Sequence, residues 1–333
     1  MAILYLTEQG SILRKTGDRI LVSKDEEILL DVPCAKIDQV LIFGSVQVTV
    51  QALSELLEHG IELALLTRHG RLKGQLTPIK SKNILLRVAQ YDRSRDAAFA
   101  ISVATEIVKG KISNGIEVLR RFSYNHPERG IQEIADRIEG RLAAVASATS
   151  LEELNGLEGV AARDYFLGFG RMLLGDLPFA GRKRRPATDP VNALLSFGYT
   201  LIANEIHSLL DAIGFDPYLG FFHQIDYGRP SLALDMMEEF RHPLVDRFTV
   251  TLLNKGILKS EDFSPEPASG AMYLKPEAMK LYFRHFEHFL LEETLPAADG
   301  KSVSFRRCFQ LQAQAMAQSL QKGTPYSPFR YGG

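Results

Sequence analysis

Four side chains have the types and spacing that a bound dication requires: Glu158, His223, Asp235 and Glu238. Asp235 and Glu238 are three residues apart, so on a helix they lie one turn from each other and repel unless a cation stands between them. Pro230 and Ser231 mark the start of that helix, with Ser231 as its N-cap, and Ala233, Met237, Phe240 and Leu244 form its core stripe. Arg241 and His242 share the face beside the two carboxylates. His223 precedes the helix on a turn rich in Phe and Gly, which could fold back over it. Glu158 falls in register with Ala162, Phe166, Phe169 and Leu173, and a carboxylate on the core face of a helix is costly unless paired or metal-bound. Gly156, Gly159, Ala161 and Ala162 around it leave space for an ion and a substrate. Hard oxygen donors with one imidazole suit Mg²⁺ or Mn²⁺ with open water positions better than a closed zinc site. The same spacing admits a second reading: Asp235 and Glu238 salt-bridged to Arg241 and its neighbours, His223 packed in a core, and Glu158 in a favourable helix-dipole contact.

These residues need a scaffold, and the hydrophobic pattern supplies one in two parts. Up to about residue 80 the chain reads as β: Ala2–Thr7, Ile12–Lys15, Ile20–Ser23, Ile28–Val32, Asp38–Phe43, Gln47–Val50, Ile61–Leu66 and Leu72–Leu76. Thr49–His59 changes to helical period, with Leu53, Leu56 and Leu57 on one face and Gly60 as its stop. From Asn83 onward nearly every segment is helical: Ile84–Gly110, Gly115–Phe122, Gly130–Ala148, Leu151–Leu174, Val191–Ile213, Ser231–Leu253, Pro276–Glu293 and Val303–Gln321. The expected architecture is α+β, a small β-sheet domain over 1–80 followed by a larger all-α domain over 81–333.

The 333 residues carry 39 Lys+Arg against 40 Asp+Glu, a net charge of -1 that rules out a uniformly basic nucleic-acid coat and an acidic disordered tail. Cys34 and Cys308 stand far apart, against structural zinc or a disulfide framework. No signal peptide and no run of ~18 apolar residues is visible, so a soluble cytoplasmic protein with no membrane contact is expected. Walker A and G-x-S-x-G motifs are absent, and Gly168-Phe169-Gly170 lacks the setting of a dinucleotide fingerprint. His285 and His288 belong with Phe286 and Phe289 on a packed aromatic face, and His59 closes the N-terminal helix. Basic residues cluster in three places: residues 81–125, Arg182-Lys183-Arg184-Arg185, and residues 301–333, which hold no acid. Three such clusters in a near-neutral chain point to a positive surface for a phosphate backbone.

Taken together, five ordered motifs resemble a known family. They are Leu157-Glu158-Gly159 with Ala161-Ala162-Arg163 and Tyr165-Phe166; Gly181-Arg182 through Pro186, Asp189-Pro190 and Asn192 to Tyr199; Asp216-Pro217 to His223; Gly228 to Arg241; and Tyr326 with Pro328-Phe329. Nearly the whole chain resembles the CRISPR-associated endonuclease and integrase of the spacer-acquisition module, the first-numbered Cas protein. The resemblance implies a β domain that mediates dimerisation and a helical domain that holds one divalent cation, Mg²⁺ or Mn²⁺. Glu158, His223 and Glu238 match the family's metal ligands, and Asp235 a further acidic position beside them. Arg163, Asn192, Tyr199 and Arg241 match motif positions near the site. His242 departs from the pattern, where Pro or Ser is the more familiar residue.

The implied reaction is attack of a DNA 3′-hydroxyl on a phosphodiester at the edge of a CRISPR repeat, inserting a spacer precursor in prokaryotic antiviral defence. Water in place of the hydroxyl gives DNA hydrolysis by the same chemistry. Arg182, Lys183, Arg184 and Arg185, with the other basic segments, would grip phosphates. The implied partners are double-stranded and branched DNA, a second copy of the chain, and the small second-numbered Cas protein. Two other readings remain at this point, a stand-alone nuclease on branched DNA and a non-catalytic DNA-binding scaffold.

Overall fold

Short aliphatic runs in the first part of the chain pair into two four-stranded sheets. In the computed structural model, which describes residues 3–78, 83–183, 186–292, 295–296 and 302–332, the chain divides into Met1–Ser81 and Lys82–Gly333. The first unit holds β1 (Ile3–Leu6), β2 (Ile12–Thr16), β3 (Arg19–Lys24), β4 (Glu27–Pro33), β5 (Gln39–Phe43), β6 (Gln47–Val48), α1 (Val50–Glu58), β7 (Glu62–Leu66) and β8 (Leu72–Leu76). One sheet has the order β1-β5-β7-β8, parallel except for β8. The other is the antiparallel meander β4-β3-β2 with β6 added parallel to β2. Thr49 starts α1 by accepting the Ala52 amide on its hydroxyl. Residues from both sheets and from α1, among them Leu13, Ile20, Val40, Ile42, Leu56 and Leu63, share one apolar core.

The second unit is helical, as the periodicity predicts: α2 (Ile84–Arg95), α3 (Ala97–Asn125), α4 (Ile131–Glu139), α5 (Leu142–Ala146), α6 (Leu151–Met172), α7 (Pro190–Ile213), α8 (Ser231–Glu238), α9 (Arg247–Asn254), α10 (Pro276–Leu291) and α11 (Phe305–Lys322). Its axis is α3, a 29-residue helix that packs against α4, α6 and α8. Among the described residues no helix is long and apolar enough to cross a membrane.

Several boundaries differ from the expected ones, each for a physical reason. Asp96 divides the predicted Ile84–Gly110 helix, capping α3 by accepting the Phe99 amide at 3.1 Å. Gly110 and Gly115 do not interrupt α3. A Cβ on Gly110 would meet Pro328 at 2.7 Å, and one on Gly115 would meet the His242 ring at 2.9 Å, so both are sites of close approach rather than breaks. Ser231 does not cap α8; its hydroxyl donates to the Gln224 carbonyl, and Pro230 holds the N-cap position. The predicted Ser231–Leu253 helix is interrupted by a π-helical turn over Arg241–Asp246. Pro243 has no N–H for the Glu239 carbonyl one turn back, and Asn114 Nδ2 donates to that carbonyl instead, at 2.7 Å. Two short hairpins also escaped the sequence reading: β9 (Phe263–Pro265) with β10 (Met272–Leu274), and β11 (Leu295–Pro296) with β12 (Ser302–Val303).

The chain's last described stretch is bonded to the same place. Asn114 Nδ2 also donates to the Phe329 carbonyl at 3.0 Å, and its Oδ1 accepts the Tyr331 amide at 2.8 Å. The buried Glu239 carboxyl accepts from Tyr326 Oη at 2.5 Å, the Phe329 amide at 2.7 Å and Gln312 Nε2 at 3.0 Å. Burial pushes that carboxyl up to about 7, against the hydrogen bonds that favour its charged form.

Two outcomes follow. Asn114→Ala strips three bonds from buried backbone groups and should destabilise the helical unit by about 2–4 kcal/mol, seen as a lowered thermal midpoint. Glu239 binds its proton more tightly folded than unfolded, so its contribution is fully present below about pH 4.3 and is lost as pH rises through about 7. The midpoint of Glu239→Gln relative to wild type should therefore shift in favour of Gln across that window; a constant difference from pH 4 to 8 would contradict this.

Candidate metal centre

Four segments distant along the chain meet at one cluster of charge. The loop after α7 is tied to α8 by Asp235, whose carboxylate is fully buried. Its Oδ2 accepts the Phe221 and Phe222 amides at 2.6 and 3.0 Å, and its Oδ1 accepts the His223 amide at 2.9 Å. A Cβ at Gly220 would sit 2.6 Å from that Oδ2, so the loop can close this tightly only with glycine there. Asp235 Oδ1 also lies 2.7 Å from His223 Nδ1. Nδ1 beside a carboxylate carries the ring proton, which leaves Nε2 with a free lone pair. That Nε2 faces Glu238, 3.8 Å from its Oε1.

Glu238 is buried on α8 among cations. Lys111 Nζ, from α3, lies 2.6 Å from its Oε2, and Arg241 Nε lies 2.9 Å from the same oxygen. Both cations therefore stand within ion-pair distance of one buried carboxylate oxygen. Burial pushes the Glu238 carboxyl up, but the Arg241 and Lys111 cations outweigh it and hold the group well below the usual carboxylate range. Burial likewise lowers the Lys111 ammonium, and Glu238 and Glu158 more than restore it, leaving it raised. Glu158, on α6, bonds the other side of the Lys111 ammonium. Its side chain is 17% exposed, so it forms the rim of the cluster, while Lys111 at 7% lies within.

Glu158 and Glu238 thus meet at one ammonium, His223 faces Glu238 from the other side, and Asp235 orients the imidazole. The two-carboxylate, one-imidazole donor set, with Glu238 held ionised in a buried position, fits a hard divalent cation. Among the described residues the three donors do not all come within 4.8 Å of one another. A second cluster, Cys34, Glu55 and His59 in the β unit, does bring its donor atoms that close. There Lys15 pairs with Glu55, and burial pushes the Cys34 thiol up, away from the thiolate a metal takes.

The structure corrects the register of α6 and most of the expected phosphate contacts. The buried face of α6 is Leu154, Ala161, Tyr165, Gly168, Phe169 and Met172, one position off the predicted stripe, which puts Glu158 at its edge. Asn192 is buried and spends its amide on the Gly181 carbonyl, Asp189, Arg182 and the Lys183 amide. Tyr199 is buried, with Oη 2.5 Å from Asp246, and its ring faces the guanidinium of Arg241 at 4.6 Å and that of Arg182 at 5.4 Å. Arg182 also bonds Ser196. Asn192, Tyr199 and Arg241 therefore brace the site from behind and present no free face to a strand. Lys183 and Arg163 are exposed, and Arg184 and Arg185 lie outside the described residues.

The long basic segments also thin out. Lys111 is buried in the site, and Arg306 is buried between Glu205 and Glu287. Arg120 pairs with Asp136 and Glu139, and Arg121 with Glu117. Lys82 and Lys301 lie outside the described residues. His242, predicted to share the carboxylate face, is turned by the π-helical segment toward Asp246, 2.7 Å away, and packs on Tyr165. The sequence reading missed Lys111 as a member of the site. Its signal was there: Ile107, Lys111, Asn114 and Val118 follow one helical face, and an apolar stripe broken by Lys and Asn marks buried polar work.

Comparison with known proteins places this geometry. The family model described as CRISPR associated protein Cas1 matches residues 4–288. The chain is 35% identical over 332 residues to CRISPR-associated endonuclease Cas1 3 of Thermus thermophilus, covering 99% of this chain and 97% of the relative. Among solved structures, a casposase bound to integration product shares the fold with a TM-score of 0.87 at 24% identity, over 98% of this chain and 93% of that one. The Cas6-RT-Cas1–Cas2 complex gives a TM-score of 0.84 at 27% identity, over 99% of this chain and 36% of that one. On the family match and the full-length identity, the chain belongs to the CRISPR associated protein Cas1 family.

Proposed function

We propose that this protein is a metal-dependent DNA endonuclease and integrase that inserts spacer precursors into a CRISPR array. The observation that carries the reading is the convergence of Glu158, Glu238 and the Asp235-oriented His223 on one cation position. The endonuclease relatives, the casposase with its integration product and the Cas1–Cas2 assembly support it from outside the molecule.

Glu158, His223 and Glu238 would hold Mg²⁺ or Mn²⁺, which when bound supplies Lewis-acid polarisation of a phosphoryl oxygen. The chain's own groups prepare that site. Glu238 stays ionised because Arg241 and Lys111 offset its burial. Asp235 holds the His223 ring by Nδ1 and the loop by three amides, so Nε2 is presented as an acceptor. Arg241, stacked on Tyr199, fixes the Glu238 carboxylate from the side. In strand transfer the DNA 3′-oxygen forms a bond to phosphorus as the bond to the departing 3′-oxygen breaks, and the hydroxyl proton ends on the departing oxygen. With water as nucleophile the same exchange is hydrolysis, which links integration to nuclease activity. Duplex and branched DNA, CRISPR repeat DNA, a second copy of the chain and the small second-numbered Cas protein are the partners this reading requires.

Glu158→Ala should lower both integration and branched-DNA cleavage by about 10³-fold, equivalent to several kcal/mol of lost stabilisation, with DNA binding in a gel-shift assay nearly unchanged. Unchanged turnover would leave a scaffold role; cleavage that needs no second Cas protein, without integration, would leave a stand-alone nuclease. Asp235→Asn should weaken Mn²⁺ binding about 10–100-fold by calorimetry, since outer partners of a ligating histidine carry that much affinity. A lowered melting point with unchanged Mn²⁺ affinity would confine Asp235 to holding the loop.

A further inference from the structure

We infer that Lys111 is a built-in placeholder for the dication: its ammonium holds Glu158 and Glu238 together in the metal-free protein and moves off when the metal enters. The inference rests on the reading of Glu158, His223 and Glu238 as ligands, and adds a residue that reading does not use. Lys111 is buried, and its Nζ contacts both carboxylates. A buried ammonium held by two acids from different helices is a cross-link between α6 and α8, supplied from α3.

Charge balance decides what happens next. Glu158, Glu238 and the buried Asp235 contribute three negative charges, and Lys111 and Arg241 two positive ones, so the metal-free cluster carries one net negative charge. A dication added to both bases would leave a buried excess of positive charge, which the low-dielectric interior penalises. One base must leave. Arg241 is held by its stack on Tyr199 at 4.6 Å, whereas Lys111 has no ring partner among the described contacts and a flexible four-carbon stem. A water-sized cavity borders Lys111 and Glu158, with Gly115, Ala161 and Ala162 on part of its wall and Ile112, Ile116, Ile138 and Tyr165 on more of it.

The test is Mn²⁺ binding by calorimetry at fixed pH and ionic strength, on wild type, Lys111→Met and Glu158→Ala. Removing the competing ammonium should lower the Mn²⁺ dissociation constant of Lys111→Met at least tenfold. Glu158→Ala should raise it at least tenfold. If Glu158→Ala binds like wild type, the ligand assignment itself fails and the placeholder with it. If Glu158→Ala binds weakly but Lys111→Met is equal to wild type or weaker, the ligand assignment survives and the placeholder is overturned. A measurement on wild type decides the matter should Lys111→Met not fold: acetylation of Lys111 by an amine-reactive reagent, read by mass spectrometry, should accelerate when Mn²⁺ saturates the protein. Equal protection with and without Mn²⁺ overturns the inference.

Discussion

Two carboxylates drawn from separate helices cannot share a buried site unless positive charge lies between them. Much of the helical unit is arranged around that constraint. The α3 helix delivers Lys111 and the π-helical turn after α8 delivers Arg241 to one oxygen of Glu238, and the loop after α7 brings His223 to face the other. Replacing two buried charges by apolar groups is often harmless in an inert core, so a core that keeps four of them has been shaped by what they do.

Asp235 shows how little of the local structure is optional. It satisfies three successive backbone amides and one imidazole nitrogen while exposing none of its own surface. The loop has no regular secondary structure of its own to hold it, so the carboxylate does the work a ladder of hydrogen bonds does in a sheet. Pro243 has a comparable effect on the other side. By freeing the Glu239 carbonyl it gives Asn114 an anchor, and by widening the turn it brings His242 to Asp246.

The α+β architecture and the positions of most helices and strands were legible in the sequence, because hydrophobic period reports burial directly and stops such as Gly60 punctuate it. Glu158, His223, Asp235 and Glu238 were legible as a group because spacing and motif order both pointed to them. Lys111 was not, since in a linear count of charge it reads as one more surface base. Arg306 was misread for the same reason: its partners, Glu205 and Glu287, lie on other helices. Asn192 and Tyr199 sit in the right neighbourhood, but spacing does not tell a residue that touches a ligand from one that braces the residue that does. Gly110 and Gly115 look like helix breaks until their close neighbours, Pro328 and His242, are known.

The bonds of Asn114 to Phe329 and Tyr331 join residues 215 and 217 positions apart, and those of Gln90 to the Asp216 and Leu219 carbonyls span 126 and 129. Such pairings carry a large loop-closure cost, and chains dominated by distant contacts fold slowly. The helix that supplies the central ammonium is therefore locked in place only when both extremes of the helical unit have met. Helices that form alone hold Lys111, Glu158 and Glu238 on separate elements, and only their packing brings the three charges together.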